Sequence, residues 1–196
     1  MANPDPARRS EKSRRAVLDA TFELLQEMPY QRLSIESIAA RAGVGKQTIY
    51  RWWPSKAAVL FDAFLQLSEG ADGLPALPDT GDLRADLVTV LRATVAELND
   101  PRLSEPMRAL ATEIAHDAEL AEAYHERLDR PLREAKKRRL RSAREAGEIA
   151  EDIDLETAVD LIWGPVLNRW LLRSGPLDDA YVDRLVSTAL AGMRQG

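Results

Sequence analysis

Apolar residues recur along this chain at three- and four-residue spacing, and two-residue alternation is nearly absent, so the pattern predicts an all-α protein. From about Ser10 onward, Val17, Leu18, Phe22, Leu24, Leu25 and Met28 mark one inward helix face, which Pro29 ends. Ile35, Ile38, Ala39 and Ala42 mark a second helix. Ser34 is placed to cap it, and Leu33 to staple onto Ile38. Gly43-Val44-Gly45 breaks it, because glycine takes the left-handed conformation at a helix end without steric cost. A short helix from Lys46 to Trp53 follows, burying Ile49 and one of Trp52 and Trp53. Lys46, Gln47, Thr48, Tyr50 and Arg51 are left pointing outward. Ser55 caps a further helix from Lys56 to about Leu67, with Phe61, Phe64 and Leu65 inward.

Residues 68–82 are rich in Gly, Pro and Asp and predict a loop. Beyond it, Leu83 to Leu98, Ser104 to His116 and Ala118 to Ala146 read as helices, the last interrupted and kinked at Pro131. Asp154 caps a helix to about Arg173 that is apolar nearly all round, with Gly164-Pro165 predicted to kink its middle. Asp178 to Met193 is the last helix. A helix as apolar as 155–173 is not the one-sided surface helix of a monomer. Two such helices from each of two subunits would make a four-helix interface. Its candidate residues are Leu167, Leu171, Val182, Leu185, Val186, Ala189 and Leu190. The competing reading is that both helices only complete the subunit's own core.

The expected organisation is an N-terminal three-helix helix-turn-helix domain over residues 1–56, with a short disordered leader at 1–7. It joins a larger helical domain over residues 57–196, whose last two helices are the candidates for dimerisation. The outward set on the short helix carries the chemistry. Gln and Arg pair bidentately with base edges in the major groove, and Lys, Thr and Tyr hold phosphates. Two helices set at a steep angle around a glycine turn match the helix-turn-helix, whose second helix enters the groove. Gly45-Lys46 resembles the end of a nucleotide-binding loop, but Ala40 stands where its first Gly belongs and Gln47 where Ser or Thr belongs.

Charge sharpens this picture. The chain of 196 residues has a net charge of −5, unevenly spread. Residues 1–56 hold 10 Lys and Arg against 6 Asp and Glu, whereas residues 57–196 hold 17 against 26. The basic end therefore carries the helix-turn-helix, and a local basic face supplies phosphate affinity whatever the whole-chain charge. There is no Cys, which removes disulfides, thiolate metal sites and a Cys nucleophile and fits a reducing cytosol. No apolar run approaches the ~18 residues of a membrane span, and the N-terminus lacks the apolar segment of a signal peptide. The expected setting is cytoplasmic.

Ser34, Ile38-Ala39, Ala42-Gly43-Val44, Thr48-Ile49-Tyr50, Trp52-Trp53 and Lys56 together resemble the DNA-binding domain of the tetracycline-repressor (TetR) family. That resemblance implies phosphate contacts from Ser34, Thr48, Tyr50 and Lys56, and base reading by Lys46, Gln47, Tyr50 and Arg51. Trp52 departs from the histidine often found there, though its indole N–H can still donate to a phosphate. The resemblance further implies a homodimer built on the last two helices and a cavity for a small-molecule effector. The function expected is that of a repressor bound to inverted-repeat double-stranded DNA and released by that effector. Candidate lining residues are Phe64, Leu91, Met107, Leu110, Ile114, Tyr124, Leu128, Trp163 and Trp170, for each of which simple core packing is the favoured alternative.

Other features stay bland. His116 and His125 sit in polar runs and read as exposed surface, and no Gly-x-Ser-x-Gly turn or triad accompanies them. No metal or cofactor is implied. The basic run Arg133, Lys136, Lys137, Arg138, Arg139, Arg141 and Arg144 reads as a solvated helix face, with a second nucleic-acid surface as the alternative. A helical scaffold whose helix-turn-helix does not touch DNA is the competing function, and a helical enzyme a more distant one.

Overall fold

The computed structural model describes residues 6–68 and 77–194. In chain order the elements are α1 (Pro6–Glu27), a single 3-10 turn (Tyr30–Arg32), α2 (Ile35–Ala42), α3 (Lys46–Tyr50), α4 (Lys56–Ser68), α5 (Leu83–Asn99), α6 (Pro101–His116), α7 (Ala118–Tyr124), a wide π-turn (His125–Asp129), α8 (Arg130–Glu145), α9 (Leu155–Leu172) and α10 (Asp179–Met193). No strand occurs among the described residues. The chain divides into two compact units, Met1–Gly73 with Glu105–Tyr124, and Leu74–Ser104 with His125–Gly196. Most of the predicted loop, residues 69–76, and residues 1–5 of the expected leader lie outside the described residues, whereas residues 6 and 7, also expected in the leader, already belong to α1.

In the first unit α1 lies against both α2 and α4. Val17, Ile38, Ile49, Val59 and Leu60 are fully excluded from water at its centre. Thr21 is equally buried, and its hydroxyl donates to Val17 O at 2.8 Å, so the core holds a polar side chain that is already satisfied. Phe22 meets Phe64 edge to face with centroids 6.4 Å apart, and Phe61 meets Tyr124 at 6.0 Å. The start of α2 is fixed by a reciprocal cap: Ser34 Oγ accepts from Ser37 N, and Ser37 Oγ accepts from Ser34 N, both at 3.1 Å. Its end is set by Gly43, whose φ of +66° places it in the left-handed region.

In the second unit α5 packs on α8, α9 and α10, and α9 on both α8 and α10. Leu87, Leu91, Leu140, Ile162, Val182 and Val186 form its centre, each at 1% exposure or less. A buried ion cluster crosses this core. Arg139, 3% exposed, donates from Nε to Asp86 Oδ2 at 2.7 Å, with Glu148 Oε1 and Asp79 Oδ1 each 3.4 Å from its guanidinium. Burial alone would raise the Asp86 carboxyl, but hydrogen bonds from Thr80 and Arg139 outweigh it and hold the group below its ordinary value.

Two predicted interruptions resolve differently. The long helix does break near Pro131, but upstream of it, as the π-turn His125–Asp129. Proline lacks the N–H that would bond four residues back, so the register slips in the preceding turn and α8 starts with Pro131 in its first turn. By contrast α9 stays helical through Pro165.

Candidate nucleic-acid interface

The short helix α3 is hung from two buried anchors. Ile49 is fully buried and Trp53, just past its end, is 3% exposed. Trp53 Nε1 donates to Asp62 Oδ2 at 2.9 Å, and Arg14 Nη2 donates to the same oxygen at 3.0 Å. Asp62, 7% exposed on α4, thus gathers a donor from α1 and one from the segment after α3. This hub escaped sequence reasoning, although a carboxylate inside the apolar run Ala57–Leu65 was its visible signal, since a charge that deep is kept only if paired.

The opposite face of α3 is open. Lys46, Gln47, Tyr50 and Arg51 are exposed, Tyr50 at 51%, and Thr48 is half-buried. Tyr50 thus leaves about half of its surface in water on a helix anchored from behind by Ile49. Trp52 is half-buried, edge-on to Trp53 at 5.5 Å, with the Arg51 guanidinium 5.0 Å above its ring. That stacking aligns Arg51 on a rigid platform. Lys46 Nζ pairs with Glu36 Oε1 at 2.6 Å, and the hydrogen bond from Lys46 holds the Glu36 carboxyl below its ordinary value.

Two of the expected phosphate contacts have internal duties. Ser34 Oγ is the α2 cap already described. Lys56 Nζ donates to Tyr30 O and Leu33 O, both at 3.0 Å.

The expected interface set divides sharply. Val182 and Val186 are 0% exposed, Ala189 3% and Leu190 5% within a single chain. These four are corrected to core, because side chains already removed from water have no area left to bury against a partner. Leu185 is half-buried. Leu167 and Leu171 are 45% and 46% exposed, and Leu161 and Leu172, at 48% and 66%, join them on α9. Four of the exposed large hydrophobics therefore belong to one helix.

The expected effector residues split between the units. Phe64, Met107, Leu110, Ile114 and Tyr124 belong to the first, and Leu91, Leu128, Trp163 and Trp170 to the second. Phe64, Leu91, Leu110, Trp163 and Trp170 are buried, and the other four are half-buried. Trp170 donates from Nε1 to Ser104 Oγ at 2.8 Å. A cavity of about 410 Å³ lies in the second unit, lined by Asp82, Leu83, Arg84, Gly147, Glu148, Ile149, Leu190 and Arg194, and includes none of the nine. Both histidines are exposed, His116 Nδ1 lying 2.8 Å from Thr112 O and His125 Nδ1 3.2 Å from Asp129. Among the described residues no three His, Cys, Asp or Glu gather as a metal site, and no helix is long and apolar enough to cross a membrane.

The basic run on α8 is only in part a solvated face, because several of its cations are taken up by carboxylates. Arg133 pairs with Asp129, Glu156 and Asp160, and Lys137 with Glu134 and Glu156, which stitches α8 to α9. Lys136 Nζ lies 4.8 Å over the Trp163 ring. Only Arg138 and Arg141 of the run stay exposed, with Arg144 partly so.

Known proteins match both ends of this chain. Residues 17–63 match the family of bacterial regulatory proteins of the tetR type, and residues 77–189 match the tetracyclin repressor-like C-terminal domain. The chain is 38% identical to the HTH-type transcriptional regulator YdeS of Bacillus subtilis, over 95% of this chain and 92% of that protein. It is 32% identical to the DNA-binding transcriptional repressor TetR of Mycobacteroides abscessus, over 93% and 94%. The crystal structure of the TetR family transcription regulator SCO0332 superposes with a TM-score of 0.76 at 38% identity, covering 94% of this chain and all of that one. A helix-turn-helix with its polar face turned out, followed by a helical domain of matching sequence and shape, makes this chain a member of the TetR family of bacterial transcriptional regulators.

Proposed function

We propose that this regulator is a homodimeric repressor that holds an inverted-repeat operator through α3 and lets go when a small molecule binds its C-terminal helices. The observation that carries the DNA reading is the exposed set Gln47, Tyr50 and Arg51 on a helix fixed from behind by Ile49 and Trp53. Rigid backing matters because a base contact discriminates only when its side chain arrives already aimed. Lys46, Gln47, Tyr50 and Arg51 are assigned to bases, with Thr48 and Trp52 assigned to phosphates beside them. Ser34 stays on the phosphate list through any lone pair its capping duty leaves. Residues 1–56 are the DNA-reading domain and 57–196 the effector and dimerisation domain. Acting on DNA, the protein works in the cytoplasm.

Dimerisation is assigned to the exposed face of α9, Leu161, Leu167, Leu171 and Leu172, with Leu185 of α10 beside it. Large apolar side chains concentrated on one helix are what a subunit interface leaves behind when its partner is absent. The effector's identity is open, and Phe64, Met107, Leu110, Ile114 and Tyr124 in one unit and Leu91, Leu128, Trp163 and Trp170 in the other remain the residues to probe.

The deciding experiment is selection from a random-sequence duplex pool by the full-length protein. Retention of an inverted repeat with half-sites about 34–36 Å apart, or a multiple of that spacing, supports the reading. Failure to enrich any sequence defeats it and favours a helical scaffold.

A further inference from the structure

Lys56 opens α4, and the family likeness gives it to a phosphate. Its surroundings point inward. Its Nζ donates to Tyr30 O and Leu33 O at 3.0 Å each and lies 4.0 Å above the Tyr30 ring. An ammonium has three N–H donors. Two are taken by carbonyls that bracket the 3-10 turn, and the aromatic face covers a further side of the cation. Tyr30 is 8% exposed and Leu33 3%, so the strap ends on a well-packed segment. Burial pushes the Lys56 ammonium below its ordinary value, with the Glu113 carboxylate pulling the other way.

The position of the strap gives it a purpose. Leu33 is the residue before Ser34, and Ser34 caps α2. The turn at 30–33 therefore decides where α2 begins, and α2 decides how α3 is presented. We propose that Lys56 is a positioning residue, an internal clamp that ties the 30–33 turn to the first residue of α4 and thereby sets α3 against the groove. It contributes through α3 and does not neutralise a phosphate. The proposal rests on the assignment of α3 to DNA.

Three measurements on the full-length protein test it: affinity for the duplex that wild type retains from a random pool, the salt dependence of that affinity, and amide exchange in the DNA-free protein. Lys56→Met removes the donors, and Lys56→Arg keeps the charge but exchanges the compact ammonium for a planar fork. Both variants should lose about tenfold or more in affinity, as expected for a part-buried charged donor removed or misplaced. The slope of log K against log salt should stay at the wild-type value. Exchange at residues 30–37 should speed up in both, because the local segment has lost its tie. A slope smaller by about 0.9 in Lys56→Met is the mark of one lost phosphate contact and overturns the clamp. So does Lys56→Arg binding as tightly as wild type, since a guanidinium serves a phosphate well, and so does unchanged exchange at 30–37. Should Lys56→Met fail to fold, Lys56→Arg carries the same readouts. If wild type retains no duplex, the DNA assignment fails by itself, and exchange alone upholds or removes the clamp.

Discussion

Two stretches of this chain concentrate basic side chains, and they dispose of them in opposite ways. On α3, Lys46, Gln47, Tyr50 and Arg51 are exposed, and among the contacts described only Lys46 of these pairs with an acid, Glu36. Between Arg133 and Arg144, Arg133 and Lys137 are engaged by Asp129, Glu156 and Asp160, and Arg139 is buried against Asp86 and Glu148, while Arg138 and Arg141 stay exposed. Charge density in sequence is higher in the second stretch, yet the first is the one left open to a polyanion. Whether a basic helix binds DNA is decided by whether neighbouring helices deliver carboxylates to it. On α8 the 133 and 137 positions lie one turn apart and face α9, while 139 turns toward α5.

The largest effect should come from the inward stretch. Arg139→Met leaves Asp86 buried without its cation and should cost about 3–5 kcal/mol of stability, read by urea denaturation. Arg139→Met combined with Asp86→Asn should recover much of that loss, because the cost is the stranded charge. The salt dependence of DNA binding, measured on folded protein, should not move in either variant. A smaller slope in Arg139→Met would make α8 a DNA contact and break the contrast.

The outward stretch should give the reverse pattern. Gln47→Ala and Arg51→Ala should each cost about 1–3 kcal/mol in affinity for the selected duplex and relax its sequence preference. Their stabilities should stay within about 0.5 kcal/mol of wild type, as usual for exposed positions. Equal binding by wild type and both variants would end the base-reading assignment.

What the sequence made visible, and what it hid, follows the same division between local and long-range causes. The Ser34 cap, the Gly43 turn and the burial of Ile49 are settled within four residues, so pattern alone found them. The open face of α3 followed from the same local geometry. The partners of Asp62 and Lys56 were hidden, since Arg14 and Tyr30 reach them from 48 and 26 residues away. The α10 stripe showed a real apolar face, but periodicity does not say whether the same subunit or a second one covers it; Val182, Val186, Ala189 and Leu190 are already buried within the single chain, where α10 packs on α5 and α9. Pro131 announced a break, and only the slipped register placed it at His125–Asp129.

Lys136 offers a smaller test of how far the α8 charges are withdrawn from water. Burial pushes its ammonium down to about 8, with Asp129 and Asp160 pulling up and Arg133 pushing down. Between that value and the ordinary lysine value of 10.5, the unfolded chain holds a proton that the folded chain has lost, so wild-type stability from this group rises with pH across that window. Below it the charged group sits buried at a cost. Lys136→Met should therefore stabilise the protein at pH 7 by about 1–2 kcal/mol. The advantage should shrink as pH climbs through the window. A variant less stable at pH 7 would mean that the contact with Trp163 outweighs the desolvation.

The smallest expected effect is the most direct probe of the contrast, because it gives α3 more of what separates it from α8. Glu36 is the only acid paired with a cation of α3 among the contacts described, and it holds Lys46 at 2.6 Å. Glu36→Gln frees that charge toward the groove side without touching any assigned DNA contact. Affinity should rise about two- to threefold at low salt, an exposed ion pair being weak and screened. The salt slope should steepen by up to about one ion as the Lys46 charge is freed from Glu36 and becomes available to the DNA. Stability should move the other way, slightly down, because a carboxylate in the first turn of α2 favours the positive end of that helix. Acidifying the wild type is a poor substitute, since Lys46 holds the Glu36 carboxyl below its ordinary range. The matched control is Glu156→Gln on α9. Arg133 there keeps Asp129 and Asp160, and Lys137 keeps Glu134, so neither cation is released and DNA affinity should stay level. Tighter DNA binding in Glu156→Gln but not in Glu36→Gln would reverse the assignment of the two stretches.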